Sequence, residues 1–558
     1  MKTLAFQRII VCAILFITFP LYPALQLNAQ TTVKFCIDMG NMIDSGYFKP
    51  AEDKIVLRGG FNNWSGIDFL LHPEEDHQGI YCNEFTIDAP PEGKVEYKYT
   101  IVTPEGREYW EVMPNPENNG YGNRVLVPDG NKMTLPVASF DYGDEIRGRV
   151  MSLLQQLQAD FMQARQLLEG NHPALYDYTD KEELDSLFDE YYKKINAETE
   201  AIDLYRYLSL IMARIGCGHT KLWIHDAFWT NYPDLFFPLQ LSFLEENVFV
   251  KGYYGDKAAI PVGSQVIAIN GISMDKIVEK LLKYESSDGF IQSFKYHALD
   301  QRFPMKYAMI FGFPENFEIT YRTPDDMKEQ KVEVKPVSRS LVEAVPLRGQ
   351  ELSMREVEDK NAAIMTINNF SYYAEVPMFR AFIDSSFQVL KEKGIHNLVI
   401  DLRGNDGGDP WCASYLFSYL QKEPVPYFAE VYHHYEDLAK PLPLPENHYT
   451  GNVYVLIDGG CFSTTGHLLG LLKYHNLVKF VGTESGATYT CTGNVTYVPL
   501  NNTGFILGTA RESRYTTAVK DMDPQKGIFP DYYVPVTGDY LAEGKDRPMM
   551  YVLALIGK

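Results

Sequence analysis

Cysteine is scarce in this chain, with seven in 558 residues. Cys12 falls in the apolar N-terminal stretch, and Cys36, Cys82, Cys217, Cys412, Cys461 and Cys491 are scattered along the rest. No set of them stands at metal-ligand spacing and they are too few for a dense disulfide framework, so neither a metal site nor a small stapled domain is expected. Positive charge is also short: 51 Lys and Arg against 73 Asp and Glu leave a net charge of −22, which argues against nucleic acid as a partner. Beyond residue 30 no apolar run reaches the length of a membrane span. What is present is the composition of a large globular protein, 45% hydrophobic, in a chain long enough for three or more domains. Nothing in it implies a cofactor.

Residues 1–8 are short and basic, residues 9–25 are apolar but broken by Pro20 and Pro23, and Ala29 is a small residue suited to cleavage. This pattern predicts a secretory signal peptide over 1–29 and a secreted or periplasmic protein. No cysteine follows the expected cut, so no lipid anchor is expected. An oxidising compartment permits one or two disulfides, and Cys36 with Cys82 is the first pair to examine.

The remaining chain predicts a multidomain α+β protein. Residues 31–142 hold short alternating runs divided by turn-rich stretches such as Gly59-Gly60 and Asn62-Asn63, which predicts a β-sandwich. Over 146–231 the pattern turns helical, with Leu153, Leu154, Leu157 and Phe161 at helical spacing. Residues 232–345 read as β-rich with one helix at 274–282, and residues 350–558 alternate strand and helix as an α/β core.

Within that core one stretch, GNVYVLIDGGCFSTTGHLLGLL at 451–472, organises the rest. An apolar β-branched run meets a glycine break and then a small-residue turn, which opens a Leu-rich helical pattern. Ser463 at that turn reads first as a helix cap. The alternative is a nucleophile held beside unpaired helix N–H groups. A second strand with a glycine-rich end, LVIDLRGNDGG at 398–408, lies upstream.

Together with Gly216-Cys217-Gly218-His219-Thr220 and the closing GIFPD at 527–531, these stretches resemble the core shared by tail-specific (C-terminal processing) peptidases, the tricorn protease and interphotoreceptor retinoid-binding protein. The resemblance covers roughly 146–558 and implies a ClpP/crotonase-like serine peptidase core. It also implies that Ser463 is the nucleophile and that the glycine-rich loop supplies an oxyanion donor. Tail-specific members use a lysine base about twenty-five residues after the serine, but no lysine lies between Gly482 and Tyr497. The tricorn-like branch places its base where His219 stands. On that branch His219 deprotonates Ser463, and the N–H groups of Gly407 and Thr464 stabilise the oxyanion. An acid just before the terminal motif would orient the histidine, and Asp523 is favoured over Asp521 by proximity. Two departures stand out: no glutamate precedes that motif, and Gly218 replaces the auxiliary serine of tricorn. The segment GSQVIAINGISMDKIVEKLL at 263–282 looks like the second half of a PDZ module, a peptide-binding insert the family often carries.

In the first domain, VLRGGFNNW at 56–64, EYKY at 96–99 and Trp110-Glu111 with Pro114-Asn115 resemble starch-binding carbohydrate-binding modules. The resemblance makes Trp64, Lys98 and Trp110 candidate glucan-binding residues, with aromatic faces for sugar rings and an ammonium for hydroxyls. The alternative reading puts both tryptophans in the core. Three function classes follow: a secreted serine endopeptidase acting on peptide or protein, a catalytically idle binding protein on the same core, and a glucan-capture protein whose peptidase half is scaffold.

Overall fold

The computed structural model describes residues 30–556 apart from 45, 75–76, 78, 89–93, 112–121, 129–131, 141–151, 245–246, 257–259, 346–350 and 512–513. The signal-peptide reading of 1–29 lies outside the described residues, as do Pro114 and Asn115 of the third sugar-binding motif and the start of the helical segment. The chain divides into two compact units, residues 1–150 and 151–558.

The first unit is built on nine strands. Their hydrogen-bonded path runs Glu108–Trp110, Val95–Val102, Lys54–Gly59, Leu70–Pro73, Ile80–Asp88, Gln30–Asp38 and Met133–Thr134, with Arg124–Leu126 and Ala138–Ser139 paired alongside. Period-two alternation decides which face is buried, since Val33, Phe35 and Ile37 on Gln30–Asp38 are all fully buried. Cys36 lies directly opposite Cys82 in the Gln30–Asp38/Ile80–Asp88 ladder, and the two are bonded to each other.

In the second unit a six-stranded sheet runs Leu352–Val357, Ala362–Ile367, Asn397–Asp401, Asn452–Ile457, Lys479–Gly482 and Tyr532–Tyr533. Only its first pair is antiparallel. Parallel neighbours need crossovers, and the helices Val376–Glu392, Pro410–Leu420 and Thr464–Tyr474 provide them. The strands read as unbroken apolar runs because both faces are covered. Leu398, Ile400, Val455 and Ile457 face the core that includes those helices, while Val399, Leu456 and Val481 pack with Val552 of the helix Arg547–Ile556.

The helical and β-rich segments share a core of their own. Helices Leu153–Asn171, Lys181–Lys194 and Ala201–Ile215 contribute Phe161, Phe188 and Leu208 to one cluster with Val248, Val266 and Ile319 of an antiparallel sheet. That sheet runs Leu239–Leu244, Asn247–Tyr253, Gln265–Ile269, Phe317–Thr323 and Asp326–Val334. The expectation of one helix between 232 and 345 is corrected. Besides Met274–Leu282 there are a twenty-residue helix, Gln292–Phe311, and a short one, Arg339–Glu343. Pro304 lies inside the long helix, and Arg302 has non-helical φ −135° and ψ 18°. A proline removes a helix hydrogen bond and kinks the chain, which hid this helix from a pattern reading.

A small antiparallel sheet ties the two regions together. Lys221–Trp223, just after His219, pairs with Ile506–Ala510, which pairs with Val495–Pro499. The turn joining the last two strands is gripped by buried Asp160, whose carboxylate accepts hydrogen bonds from the backbone and side chains of Asn502 and Thr503.

Candidate active site

Ser463 stands between the strand Asn452–Ile457 and the helix Thr464–Tyr474, in the N-cap position but without a capping hydrogen bond from its side chain. Its φ of 56° and ψ of −126° lie where a non-glycine residue is strained. Such a sharp turn lifts Oγ clear of the helix end, and the side chain is used elsewhere. His219 Nε2 lies 3.0 Å from Ser463 Oγ.

Three local features present His219. Gly216 closes the helix Ala201–Ile215 in the left-handed region at φ 70°. A Cβ at Gly218 would come within 2.6 Å of the Phe462 ring, so a side chain there would force the ring to move. The His219 ring packs on Phe462 with centroids 4.6 Å apart, and Phe462 stacks on Phe294 at 4.1 Å.

The glycine-rich loop is locked to the serine turn through Asn405, which is fully buried. Its Nδ2 donates to Ile367 C=O at 2.8 Å, and its Oδ1 accepts from Gly407 N–H at 3.0 Å and from Thr465 Oγ1 at 2.7 Å. Its own carbonyl accepts from Phe462 N–H. On the strand side, Arg403 is clamped between Asp401 and Asp546. Gly407 is brought against the nucleophile: a Cβ there would sit 2.8 Å from Ser463 Cβ and 2.9 Å from Thr464 N. Its N–H, however, is spent on Asn405, whereas those of Thr464 and Gly408 have no hydrogen-bond partner among the described residues.

Asp523 is not brought to the histidine. Its carboxylate is exposed, accepts from Gln525 N–H at 2.9 Å and faces Lys526 at 3.6 Å. Asp521 is exposed too, while Asp531 braces the core sheet by accepting from Phe480 N–H at 2.8 Å. The carboxylate next to the His219 corner belongs instead to Asp288, which is 4% exposed and accepts from Gly218 N–H at 2.7 Å. Asp288 was missed because it sits in a Ser-Ser-Asp-Gly turn of the β-rich segment, where nothing in the sequence marks it.

A cleft of about 1090 Å³ runs past the pair, with Lys221, Trp223, Arg302 and Tyr497 among its walls. Burial, helped by Arg302 and Lys306, pushes the Lys221 ammonium down to about 8, and Nζ lies 4.4 Å from the Phe294 ring centroid. His467, one turn into the serine helix, is pushed down to about 3 by burial and by His219, and its Nε2 contacts Cys491 Sγ at 3.3 Å. Among the described residues two groups bring three potential metal ligands within 4.8 Å of one another: Cys36, Glu74 and Cys82, and Cys217, His219 and Asp288. In the first the cysteines are disulfide-bonded, and in the second Cys217 Sγ contacts Thr492 Oγ1 at 3.0 Å.

In the first unit Trp64 and Trp110 are both half-buried, with ring centroids 6.2 Å apart. Lys98, one strand away, is 8% exposed. The three candidate sugar-binding residues therefore share one region, and neither tryptophan is a core residue.

Among solved structures the chain is similar to mature CPAF, at 13% identity over 72% of this chain and 96% of that one, with a TM-score of 0.52. A point mutant of CPAF matches at 11% identity with the same coverage and TM-score, and CPAF complexed with lactacystin at 13% identity, 72% and 98% coverage and a TM-score of 0.50. No curated protein matches the sequence. Identities this low speak for the fold alone. Residues 361–534, which hold the glycine-rich loop, the serine turn and the terminal motif, match peptidase family S41. The chain thus carries a peptidase family S41 domain and is a serine-type peptidase, a hydrolase whose substrates are peptides or proteins.

Proposed function

We propose that the protein is a secreted serine endopeptidase in which Ser463 is the nucleophile and His219 the base. One observation carries this reading: the 3.0 Å approach of His219 Nε2 to Ser463 Oγ, at a serine held in a strained turn with its side chain free of capping duty. Ser463 Oγ bonds to the substrate carbonyl carbon as its proton passes to Nε2. The carbonyl oxygen, now negative, faces the unspent N–H of Thr464 at the positive end of its helix. The C–N bond then breaks, the amine leaves with the proton from Nε2, and water releases the acyl group by the same steps in reverse order. Gly408, whose carbonyl accepts from Thr464 Oγ1 at 2.6 Å, carries the second N–H without a partner among the described residues and is the second donor of this reading, in place of the Gly407 N–H engaged by Asn405. Replacing Ser463 by alanine should lower peptide hydrolysis by roughly 10⁴-fold or more and abolish labelling by a fluorophosphonate. Hydrolysis retained in Ser463→Ala would sink the assignment, and an unlabelled, inactive wild type would favour the idle binding protein.

A second reading concerns the first unit. The half-buried Trp64 and Trp110 beside Lys98 support a glucan-binding face, which would hold the peptidase near its target without adding catalytic contacts. Retention of the full-length protein on starch, lost in a Trp64→Ala/Trp110→Ala variant, tests it. For the 232–345 segment, the PDZ-like reading is supported by the outer strand Asp326–Val334, which ends the sheet order and is largely exposed. If that strand aligns substrate, a proline at its outer edge should slow cleavage of long chains more than of short ones.

A further inference from the structure

The His219–Ser463 pair leaves one ring nitrogen of the histidine unexplained. Nδ1 is buried and has no hydrogen-bond partner. On the adjacent turn Asp288 Oδ2 is likewise buried and unpartnered. A ring nitrogen of His219 and a carboxylate oxygen of Asp288 lie within 4.8 Å of each other. The two segments are also fastened together, because Gly289 N–H donates to Gly216 C=O at 2.9 Å and Gly218 N–H donates to Asp288 Oδ1 at 2.7 Å. One oxygen of Asp288 thus holds the backbone just before His219, and the other is left over near an imidazole whose Nδ1 lacks a partner. Leaving either atom unpaired in a buried place is unfavourable, and pairing the two removes both deficits.

We propose that Asp288, rather than Asp523, is the positioning residue of His219, holding the proton on Nδ1 so that Nε2 presents its lone pair to Ser463. This rests on the serine–histidine reading above. A small rotation of the ring or one bridging water closes the remaining distance, and such bonds tighten when substrate fills the cleft. Charge around the carboxylate suits the role. Burial pushes Asp288 up to about 6, while the Gly218 N–H, Arg514 and Lys221 pull it down. His172 is itself held down to about 4 and so is neutral, and Arg514 is shared with Asp177 and Tyr178. The carboxylate is therefore mostly ionised at neutral pH and lost below pH 6.

Asp288→Asn separates this role from a structural one. The amide oxygen still accepts from Gly218, but the amide nitrogen now donates to Nδ1 and forces the proton of neutral His219 onto Nε2, the wrong tautomer for a base. The expected result is a fall in kcat of about a thousandfold with KM little changed, full folding by circular dichroism, and Asp523→Asn at wild-type rates. The ¹⁵N shifts of the His219 ring should show the proton on Nδ1 in the wild type and on Nε2 in Asp288→Asn. The proposal is overturned if Asp288→Asn keeps kcat within a few-fold, or if the wild-type ring carries its proton on Nε2. Should Asp288→Asn fail to fold, the wild-type tautomer decides alone. Because that measurement uses the resting protein, it also stands apart from the peptidase reading, which fails separately if wild type neither cleaves peptides nor reacts with a fluorophosphonate.

Discussion

Ser463 Oγ and His219 Nε2 are 3.0 Å apart although 244 positions separate them in the chain. Two different parts of the second unit meet at this contact. The serine rides on the parallel sheet through the strand Asn452–Ile457, and the histidine is carried by the strand Lys221–Trp223, pinned antiparallel to Ile506–Ala510. The geometry of the pair therefore depends on packing between regions, and the residues that wedge those regions together are as exposed to mutation as the pair itself.

Gly218 is the tightest of these wedges. Alanine there would drive a methyl group to 2.6 Å from Phe462 Cζ, and that ring is sandwiched between His219 and Phe294 and has nowhere to go. Gly218→Ala is expected to cost about 1–3 kcal/mol in thermal unfolding and at least tenfold in peptide hydrolysis, because the displaced element is the histidine corner. Wild-type activity in a correctly folded Gly218→Ala would show that the corner tolerates the shift.

Asn405 joins the glycine-rich loop to the serine turn through hydrogen bonds at both ends of its amide. Asn405→Ala leaves Gly407 N–H, the Thr465 hydroxyl and Ile367 C=O without their buried partner. Each such group costs about 1–3 kcal/mol, so with three of them a loss of roughly 3 kcal/mol or more is expected by denaturant titration. Labelling of Ser463 should slow as well. Loss of stability without loss of labelling would mean that the loop does not set the nucleophile's position.

How much of this could be read from the residues alone depends on whether the signal was local. The strand-turn-helix around Ser463 and the strand Asn397–Asp401 announce themselves, because strands buried on both faces must be continuously apolar and must break at glycine. His219 did not mark itself in this way: a lone histidine after a glycine corner reads as an ordinary polar residue, and only the resemblance to the tricorn-like branch singled it out. The long helix Gln292–Phe311 was hidden by Pro304, a helix breaker that the fold accommodates with a kink at Arg302. Asp288 reaches the site only through tertiary packing, so no spacing rule places it there. Asp523 illustrates the converse: nearness to a motif along the chain did not bring it to His219.

Stability of the second unit should also depend on pH through Asp300. Its carboxylate accepts from Phe243 N–H at 2.6 Å, and burial pushes it from the ordinary 3.8 up to about 7, against the pull of Lys251. A folded value above the unfolded one means that the fold favours the protonated form. The unit is therefore most stable near and below pH 3.8 as far as this group is concerned, and that contribution is lost as pH rises to about 7. Asp300→Asn keeps the acceptor for Phe243 and removes the charge, so melting temperatures measured from pH 4.5 to 8 should fall less steeply than in wild type. Parallel curves for the two proteins would remove Asp300 as the cause.

The disulfide makes a prediction confined to the first unit. Cys36 and Cys82 face each other across adjacent antiparallel strands and close a loop of 46 residues, which restricts the unfolded chain by about 4 kcal/mol on the chain-entropy account. The bond lies beside the fully buried Phe35 and Ile37, so replacing both cysteines by alanine leaves the ladder and its apolar face in place and acts mainly on the unfolded ensemble. Calorimetry of the full chain should then show the transition of residues 30–140 shifted down, with that of the peptidase unit unmoved, since the latter's cores draw on none of these residues. Hydrolysis of a short soluble peptide should proceed at the wild-type rate at temperatures above the lowered transition. If activity disappeared together with the fold of the first unit, that unit would be completing the active site, and the two could no longer be treated as independent in catalysis.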